Sequence, residues 1–273
     1  MPDSPPTFET IAVAEDGPVG RLTLDRPEYL NPISTATLVE IADAAHWFDR
    51  HSRASVVVVS GAGRAFSSGA DLAGADRSGA GAARGEAHEA RPVPAWRRGE
   101  AGRRMADAVE RMRQVTIASI RGHCVGGGVV LASVCDLRVA TTSTRFVIPE
   151  LALGLPLTWG GVPRLMREIG PAMTRELVMT GRPFDGTEAK EIGFVNRAVP
   201  DGDLDATVAG LVAGLVDKSP YTLEVTKNHL RALAEEMVGA GRSFADADSL
   251  VTAAADPASR EVGRAYLERF RSR

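Results

Sequence analysis

The chain has 273 residues, of which 44% are hydrophobic, enough for one large domain or a domain with an appendage. Its formal net charge of −3 argues against a dedicated nucleic-acid-binding protein. No apolar run reaches the roughly 20 residues that span a bilayer. The two cysteines, without a secretory signal, indicate a reducing compartment rather than a disulfide scaffold. The composition therefore predicts a globular cytoplasmic protein that acts away from membranes.

The N-terminal part predicts a strand pair followed by a helix. Residues 11–13 and 20–24 are predicted strands, joined at a turn signal, Asp16-Gly17-Pro18. The prolines of residues 25–32 predict an extended loop, after which Ser34 is a suitable cap for a helix. The apolar positions of that helix follow helical spacing: Leu38, Ile41, Ala45 and Phe48.

The centre of the chain is a glycine run between two apolar segments. Residues 116–120 predict a buried strand, and residues 129–134, apolar all round, predict a helix within a core. Three consecutive glycines, Gly126 to Gly128, lie between them. Because glycine is costly inside a helix, the run indicates a close approach. Either a ligand atom meets N–H groups at the helix N-terminus, or the run is a tight turn packed on a neighbouring strand.

A second segment of the same kind favours the interpretation that a ligand atom meets backbone N–H groups. Residues 56–60 predict another buried strand, and residues 61–72 that follow it are rich in Gly, Ala and Ser. Two strand-to-loop units, each with exposed N–H groups, can together hold one developing oxyanion.

Six motifs in this order resemble the crotonase (enoyl-CoA hydratase/isomerase) superfamily. They are Ala65-Phe-Ser-Ser-Gly-Ala-Asp-Leu72, Gly122-His-Cys-Val-Gly-Gly-Gly128, Cys135-Asp-Leu137, Pro149-Glu150, Gly160-Gly161 and Ala189-Lys-Glu-Ile-Gly-Phe-Val195. The resemblance covers most of residues 10–200 and implies an α/β fold, a spiral of ββα units with a C-terminal helical region. It divides the chain into a core, residues 1–200, and helices in residues 201–273 that pack at subunit contacts of a homotrimer or a dimer of trimers.

The same resemblance implies an acyl-CoA site. The amides of Ala70 and Gly127 would bind the thioester oxygen, and Glu150 would move a proton. Apolar neighbours of Glu150 are expected to raise its pKa. Further substrate-binding positions are Arg26, Leu30, Ser68, Gly69, Asp71, Leu72, Gly126, Val130, Pro149 and Trp159. For Arg26, a solvated surface position competes with a phosphate contact. Coenzyme A would arrive with the substrate, and no metal or separate cofactor is expected.

Val130 is the informative departure from the family pattern. The resembled hydratases carry a second glutamate at this position, which helps to hold and activate water. Valine cannot do so, and one-carboxylate members of the family move a proton between C2 and C4 of an enoyl thioester. The sequence therefore predicts double-bond isomerisation. The alternatives are a 2-enoyl-CoA hydratase of fatty-acid or branched-acid breakdown, and a non-catalytic acyl-CoA-binding or RNA-binding relative.

Other chemical candidates are weaker. Asp136 lies nine residues beyond Gly127, about 13 Å along a helix, which predicts a structural role. His123 and Cys124 are adjacent in a strand, so they point to opposite faces. The low-apolar residues 73–99 are either a lid or an insertion without function. The cluster Arg97, Arg98, Arg103 and Arg104 is expected to be mainly a solvated helix face, with CoA phosphate or nucleic acid as the other readings.

Overall fold

The computed structural model describes residues 4–71, 100–243 and 245–271, with residues 270 and 271 described by their backbone only. The expected lid at residues 73–99, the substrate position Leu72, and Arg97 and Arg98 lie outside these residues. Within the described parts of the chain, none of the helices combines the length and the apolarity that crossing a bilayer requires.

A six-stranded sheet forms the centre of the molecule, in the order β1-β2-β3-β4-β6-β9. Its strands are β1 (Ile11–Asp16), β2 (Val19–Leu24), β3 (Val56–Gly61), β4 (Val115–Ile120), β6 (Leu137–Thr141) and β9 (Arg197–Val199). The pair β1–β2 is antiparallel, and the remaining four pairs are parallel. All residues of β4 are buried, as expected for a strand covered on both faces.

A smaller sheet of three strands, in the order β5-β7-β8, lies beside the glycine run. It comprises β5 (His123–Val125), β7 (Arg145–Val147) and β8 (Phe184–Asp185). Sequence analysis placed His123 and Cys124 in a strand but did not identify β8, because two residues carry too little periodicity to be recognised. Three phenylalanines, Phe146, Phe184 and Phe194, pack together behind this sheet.

The helices agree closely with the predicted ones. Among the described residues before 200 they are α1 (Thr35–His51), α2 (Ala101–Glu110), α3 (Gly127–Ser133), α4 (Gly161–Thr180) and α5 (Gly186–Glu191). After it come α6 (Leu204–Val216), α7 (Pro220–Met237), α8 (Asp246–Ala255) and α9 (Pro257–Arg271). The hydroxyl of Ser34 accepts the Thr37 N–H at 3.1 Å, which confirms the predicted cap. The C-terminal helices are separated near Ser219-Pro220, Gly239–Gly241 and Asp256-Pro257, where the sequence predicts breaks.

The two faces of the large sheet are covered by helices from both halves of the chain. Buried residues of α1 and α2, Phe48 and Met105 among them, belong to the main core cluster. On the other face Leu204 and Val208 of α6 pack on Val58 and neighbouring strand residues. The first helix of the region assigned to subunit contacts therefore covers the sheet of its own chain.

The last helix packs against the short 3-10 helix Glu150–Leu153. A Cβ at Gly263 of α9 would lie only 2.5 Å from the Leu153 carbonyl oxygen, and one at Gly154 would overlap the Ser259 carbonyl. Backbone thus meets backbone on both sides, and glycine permits this approach. Helix α9 is thereby brought beside Glu150.

We expect Gly263→Ala to weaken this contact. A methyl group should cost about 1–3 kcal/mol by overpacking, more than the helix-propensity gain of up to about 1 kcal/mol. Gly210→Ala in α6 is the matched control, because nothing lies within 4 Å of an added Cβ there. It should stabilise the protein by about 0.5–1 kcal/mol. Urea unfolding of both variants checks the contrast, and equal stabilisation would contradict the backbone contact.

Candidate active site

The extended segment of residues 67–71 is anchored on one side to β5. Ser67 N–H donates to the His123 carbonyl at 2.9 Å, and the Ser67 carbonyl accepts the Val125 N–H at 3.1 Å. The Ser67 hydroxyl also donates to the Asn31 carbonyl at 2.8 Å. The loop that follows β3 is therefore fastened directly to the segment that leads into the glycine run.

The other side of this segment pairs with Ile33. Ile33 N–H donates to the Gly69 carbonyl at 2.8 Å, and Asp71 N–H donates to the Ile33 carbonyl at 3.0 Å. Successive amides of an extended segment point to opposite sides, so the Ala70 N–H points away from Ile33. It faces the side of β5, where the chain enters α3 through Gly126.

The N-terminus of α3 presents backbone rather than side chains. Gly126 adopts φ +49 and ψ −112, and Gly127 is the first residue of the helix. The first N–H groups of a helix have no partner within it, and the helix dipole gives them a partial positive charge. Each of the three glycines meets a different neighbour. A Cβ added at Gly126 would overlap Glu150 Oε1, and one added at Gly127 would overlap the Trp159 ring. A Cβ added at Gly128 would lie 2.9 Å from Ser67 Cβ.

Glu150 is a half-buried acid beside this N-terminus. Its Oε2 atom is buried and has no hydrogen-bond partner among the described residues. Burial raises the pKa of its carboxyl group to about 7. The upward shift expected from the apolar neighbours in the sequence is therefore confirmed.

A cavity of about 500 Å³ connects these elements. Six predicted site residues line it: Ser68, Gly69, Ala70, Gly126, Pro149 and Glu150. Tyr266 and Leu267 of α9 also line it, and sequence analysis did not find them. Burial raises the pKa of Tyr266, and the nearby Glu150 carboxylate raises it further. The only sequence signal was Gly263, a glycine inside a helical pattern, which is typical of a close backbone approach.

The predicted positions near the N-terminus lie on the outer side of the segment. Arg26 forms an ion pair with Asp71 at 2.8 Å, and its guanidinium lies 5.3 Å from the centre of the Tyr29 ring. Arg26 is therefore held in place rather than freely solvated. Leu30 has φ +63, and its carbonyl accepts the Ser68 N–H at 2.8 Å.

Val130 and Trp159 lie on the other side of α3, away from the cavity. Val130 is fully buried, and a Cβ added at Gly161 would lie 2.8 Å from its Cγ2 atom. The Trp159 ring covers Gly127. The described structure thus gives Val130 a packing contact within the core, and its side chain brings no polar group to the cavity.

The weaker candidates have structural roles. Asp136 accepts the Thr116 N–H at 2.7 Å and pairs with Lys227 at 2.7 Å, so the predicted structural role is confirmed. His123 is exposed whereas Cys124 is buried, which confirms their opposite orientations. Arg103 pairs with Glu100, which precedes its helix, and with Asp107 within it. No group of metal-ligating side chains occurs within residues 4–71, 100–243 and 245–271.

The fold and this site define an enzyme of the crotonase type. The sequence matches the enoyl-CoA hydratase/isomerase family over residues 14–272. It is 31% identical to a probable enoyl-CoA hydratase of Mycobacterium tuberculosis over 235 residues, 86% of each chain. It is 33% identical to the peroxisomal Delta(3,5)-Delta(2,4)-dienoyl-CoA isomerase of Arabidopsis thaliana over 243 residues, 87% of this chain and 86% of that one.

A solved structure of a monofunctional enoyl CoA isomerase from M. smegmatis is also similar. It has a TM-score of 0.67 and 28% identity, and the match covers 83% of this chain and 94% of that chain. The chain belongs to the enoyl-CoA hydratase/isomerase family.

The buried carboxyl group of Glu150 is expected to make the stability of the fold depend on pH. Its folded-state pKa of about 7 exceeds the ordinary value of 4.5, so the folded state binds the proton more tightly than the unfolded state. Stability is therefore lost as pH rises from about 4.5 to 7, by about 3 kcal/mol. We expect Glu150→Gln to be more stable than wild type at pH 8, by about 1–3 kcal/mol, with most of the difference absent at pH 5.

Urea unfolding at both pH values measures this difference. Glu191→Gln is the control, because Glu191 is exposed and its substitution should change stability alike at pH 5 and pH 8. A Glu150→Gln variant with no gain at pH 8 would contradict the cost of burying the ionised group.

Proposed function

We propose that this enzyme shifts the double bond of an enoyl-CoA with Glu150 as its single acid/base. The observation that carries the proposal is the buried Glu150 carboxyl, the one acid that lines the cavity among the described residues. Relatives of the chain are named both hydratases and isomerases, so family membership by itself leaves the activity open. Val130 favours isomerisation, since hydration needs a water that is positioned and activated.

The proposed reaction begins with a 3-enoyl thioester whose carbonyl oxygen accepts hydrogen bonds from the N–H groups of Ala70 and Gly127. The Glu150 carboxylate removes a proton from C2, and the electron pair is delocalised onto the thioester oxygen and, through the C3–C4 double bond, onto C4. Glu150 then returns the proton to C4, which leaves the double bond between C2 and C3. Atoms and electrons balance without a further reactant, and coenzyme A is carried by the substrate throughout.

The physical chemistry of the site fits both proton transfers. A pKa near 7 allows one group to accept and return a proton at comparable cost near neutral pH. Each oxyanion-hole donor is typically worth roughly 3–4 kcal/mol of barrier, and a placed acid/base about 10²–10⁴ in rate. Apolar cavity residues such as Val125, Val147 and Leu155 reduce competition from water.

We expect purified wild-type protein to isomerise 3-enoyl-CoA faster than it hydrates crotonyl-CoA. Its kcat/KM for isomerisation should rise with pH to a plateau, with a midpoint near the Glu150 pKa of about 7, because the base must be ionised in the free enzyme. Glu150→Gln should lower turnover by about 10² or more while affinity for acyl-CoA changes little.

Three outcomes separate the candidate functions. Hydration as fast as isomerisation would return the function to the 2-enoyl-CoA hydratases, with Glu150 acting alone. Binding of acyl-CoA without turnover of either substrate would indicate a non-catalytic relative. Near-wild-type turnover in Glu150→Gln, with Glu191→Gln as the control, would move the chemistry to another residue.

We further propose that the subunits form a homotrimer or a dimer of trimers in the cytoplasm. Large apolar side chains exposed on α7 support an interface: Tyr221, Leu230, Leu233 and Met237. Sedimentation equilibrium should give three or six times the chain mass of 28.9 kDa. A monomeric mass at micromolar concentration would contradict this arrangement.

A further inference from the structure

The small sheet turns one face to the core and the other to the Glu150 cavity. The middle residues of β5 and β7, Cys124 and Phe146, are fully buried and are Cα partners in the parallel pair. Because successive side chains of a strand point to opposite faces, the residues on either side of them point away from the core. All four of these residues line the cavity: His123, Val125, Arg145 and Val147.

The cavity face of this sheet changes from apolar to basic along its strands. The two valines lie at the end where the chain enters Gly126, at which an added Cβ would overlap Glu150 Oε1. His123 lies three residues before Gly126, about 10 Å along an extended strand. Arg145 is its Cα partner in β7. The wall is therefore apolar beside the Glu150 carboxyl group and basic farther from it.

The two basic side chains have no acidic partner in the described part of the chain. Both are exposed, and neither the Arg145 guanidinium nor the His123 imidazole forms an ion pair or a hydrogen bond there. Asp185 of β8 is the Cα partner of Arg145 on its other side. Its carboxylate instead accepts the Glu188 N–H at 2.8 Å and caps α5. The donors of the basic pair are thus available to a ligand in the cavity.

The chemistry of this pair fits an anion. Two basic groups side by side repel each other whenever both are charged, and an anion bound to both offsets that repulsion. The planar guanidinium of Arg145 offers paired N–H donors that match the oxygens of a carboxylate or a phosphate. The imidazole of His123 adds a further N–H donor. The distance from Glu150 keeps such an anion away from the carboxylate that would repel it.

We propose that Arg145 and His123 form a binding site for an anionic group that the thioester itself carries. This inference rests on the part of the proposed function that places an acyl-CoA in this cavity. Two groups of such a molecule have the required chemistry: a phosphate of coenzyme A and a carboxylate on the acyl group. Both are oxyanions that the same guanidinium binds, so the experiment distinguishes between them.

The test measures the affinity of four unreactive thioesters for wild type and Arg145→Gln by isothermal titration calorimetry. Butyryl-pantetheine carries neither anionic group, butyryl-CoA carries only the phosphates, glutaryl-pantetheine carries only the carboxylate, and glutaryl-CoA carries both. Their acyl groups have no double bond to move, so binding is measured apart from turnover. Thioesters that carry the recognised anion should lose about tenfold or more in affinity, because a charge-assisted hydrogen bond is removed.

The pattern of losses decides the outcome. A loss confined to the two CoA thioesters would identify a phosphate as the ligand, and a loss confined to the two glutaryl thioesters would identify the acyl carboxylate. In either case His123→Gln should weaken the same two thioesters by a smaller factor. Arg145→Lys keeps the charge without the planar donors, so it should recover part of the affinity.

Arg175→Gln is the matched control, because Arg175 is exposed on α4 and does not line the cavity. It should leave all four affinities unchanged. Equal losses for all four thioesters in Arg145→Gln, or losses below twofold for all four, would overturn the inference. Normal binding by a wild type that does not isomerise 3-enoyl-CoA would defeat the proposed reaction and leave the anion site standing.

Discussion

The burial of the Glu150 carboxyl without a partner for Oε2 is the constraint on which the rest of the site depends. Removing an ionisable group from water raises the free energy of its charged form, which is why its pKa rises to about 7. Other interactions of the fold must offset this cost, on the order of 3 kcal/mol at alkaline pH. The same cost makes the group able to exchange a proton near neutrality, so instability and reactivity share one physical cause.

The contrast with other buried charges of the chain is clear. Arg164 is neutralised by Asp107 and Glu110, and Lys227 pairs with Asp136. A second buried arginine, Arg138, pairs with Glu168. These ion pairs hold elements of the fold together. Among the described ion pairs none includes Glu150, so the chain satisfies charges where they build the scaffold and leaves one unsatisfied where the cavity opens.

Close approaches at glycines bring the parts of the site together. Gly126 admits the Glu150 carboxyl, Gly127 admits the Trp159 ring, and Gly263 admits the carbonyl of Leu153. These contacts join segments that are far apart in the sequence, from the glycine run to the last helix. Because each approach is closer than a Cβ would allow, small displacements of one segment are transmitted directly to its neighbour.

The sequence alone determined the large strands, the Ser34 cap, the breaks between the C-terminal helices and the apolar environment of Glu150, because burial and turn chemistry are recorded in local residue patterns. The motif order was enough to predict the family and six of the cavity residues. Only the tertiary structure decided that Arg26 pairs with Asp71, that β5, β7 and β8 form a second sheet, and that Tyr266 and Leu267 reach the cavity. It also decided the left-handed backbone of Trp159. A local pattern records that a residue is buried, but it does not record which distant segment covers it.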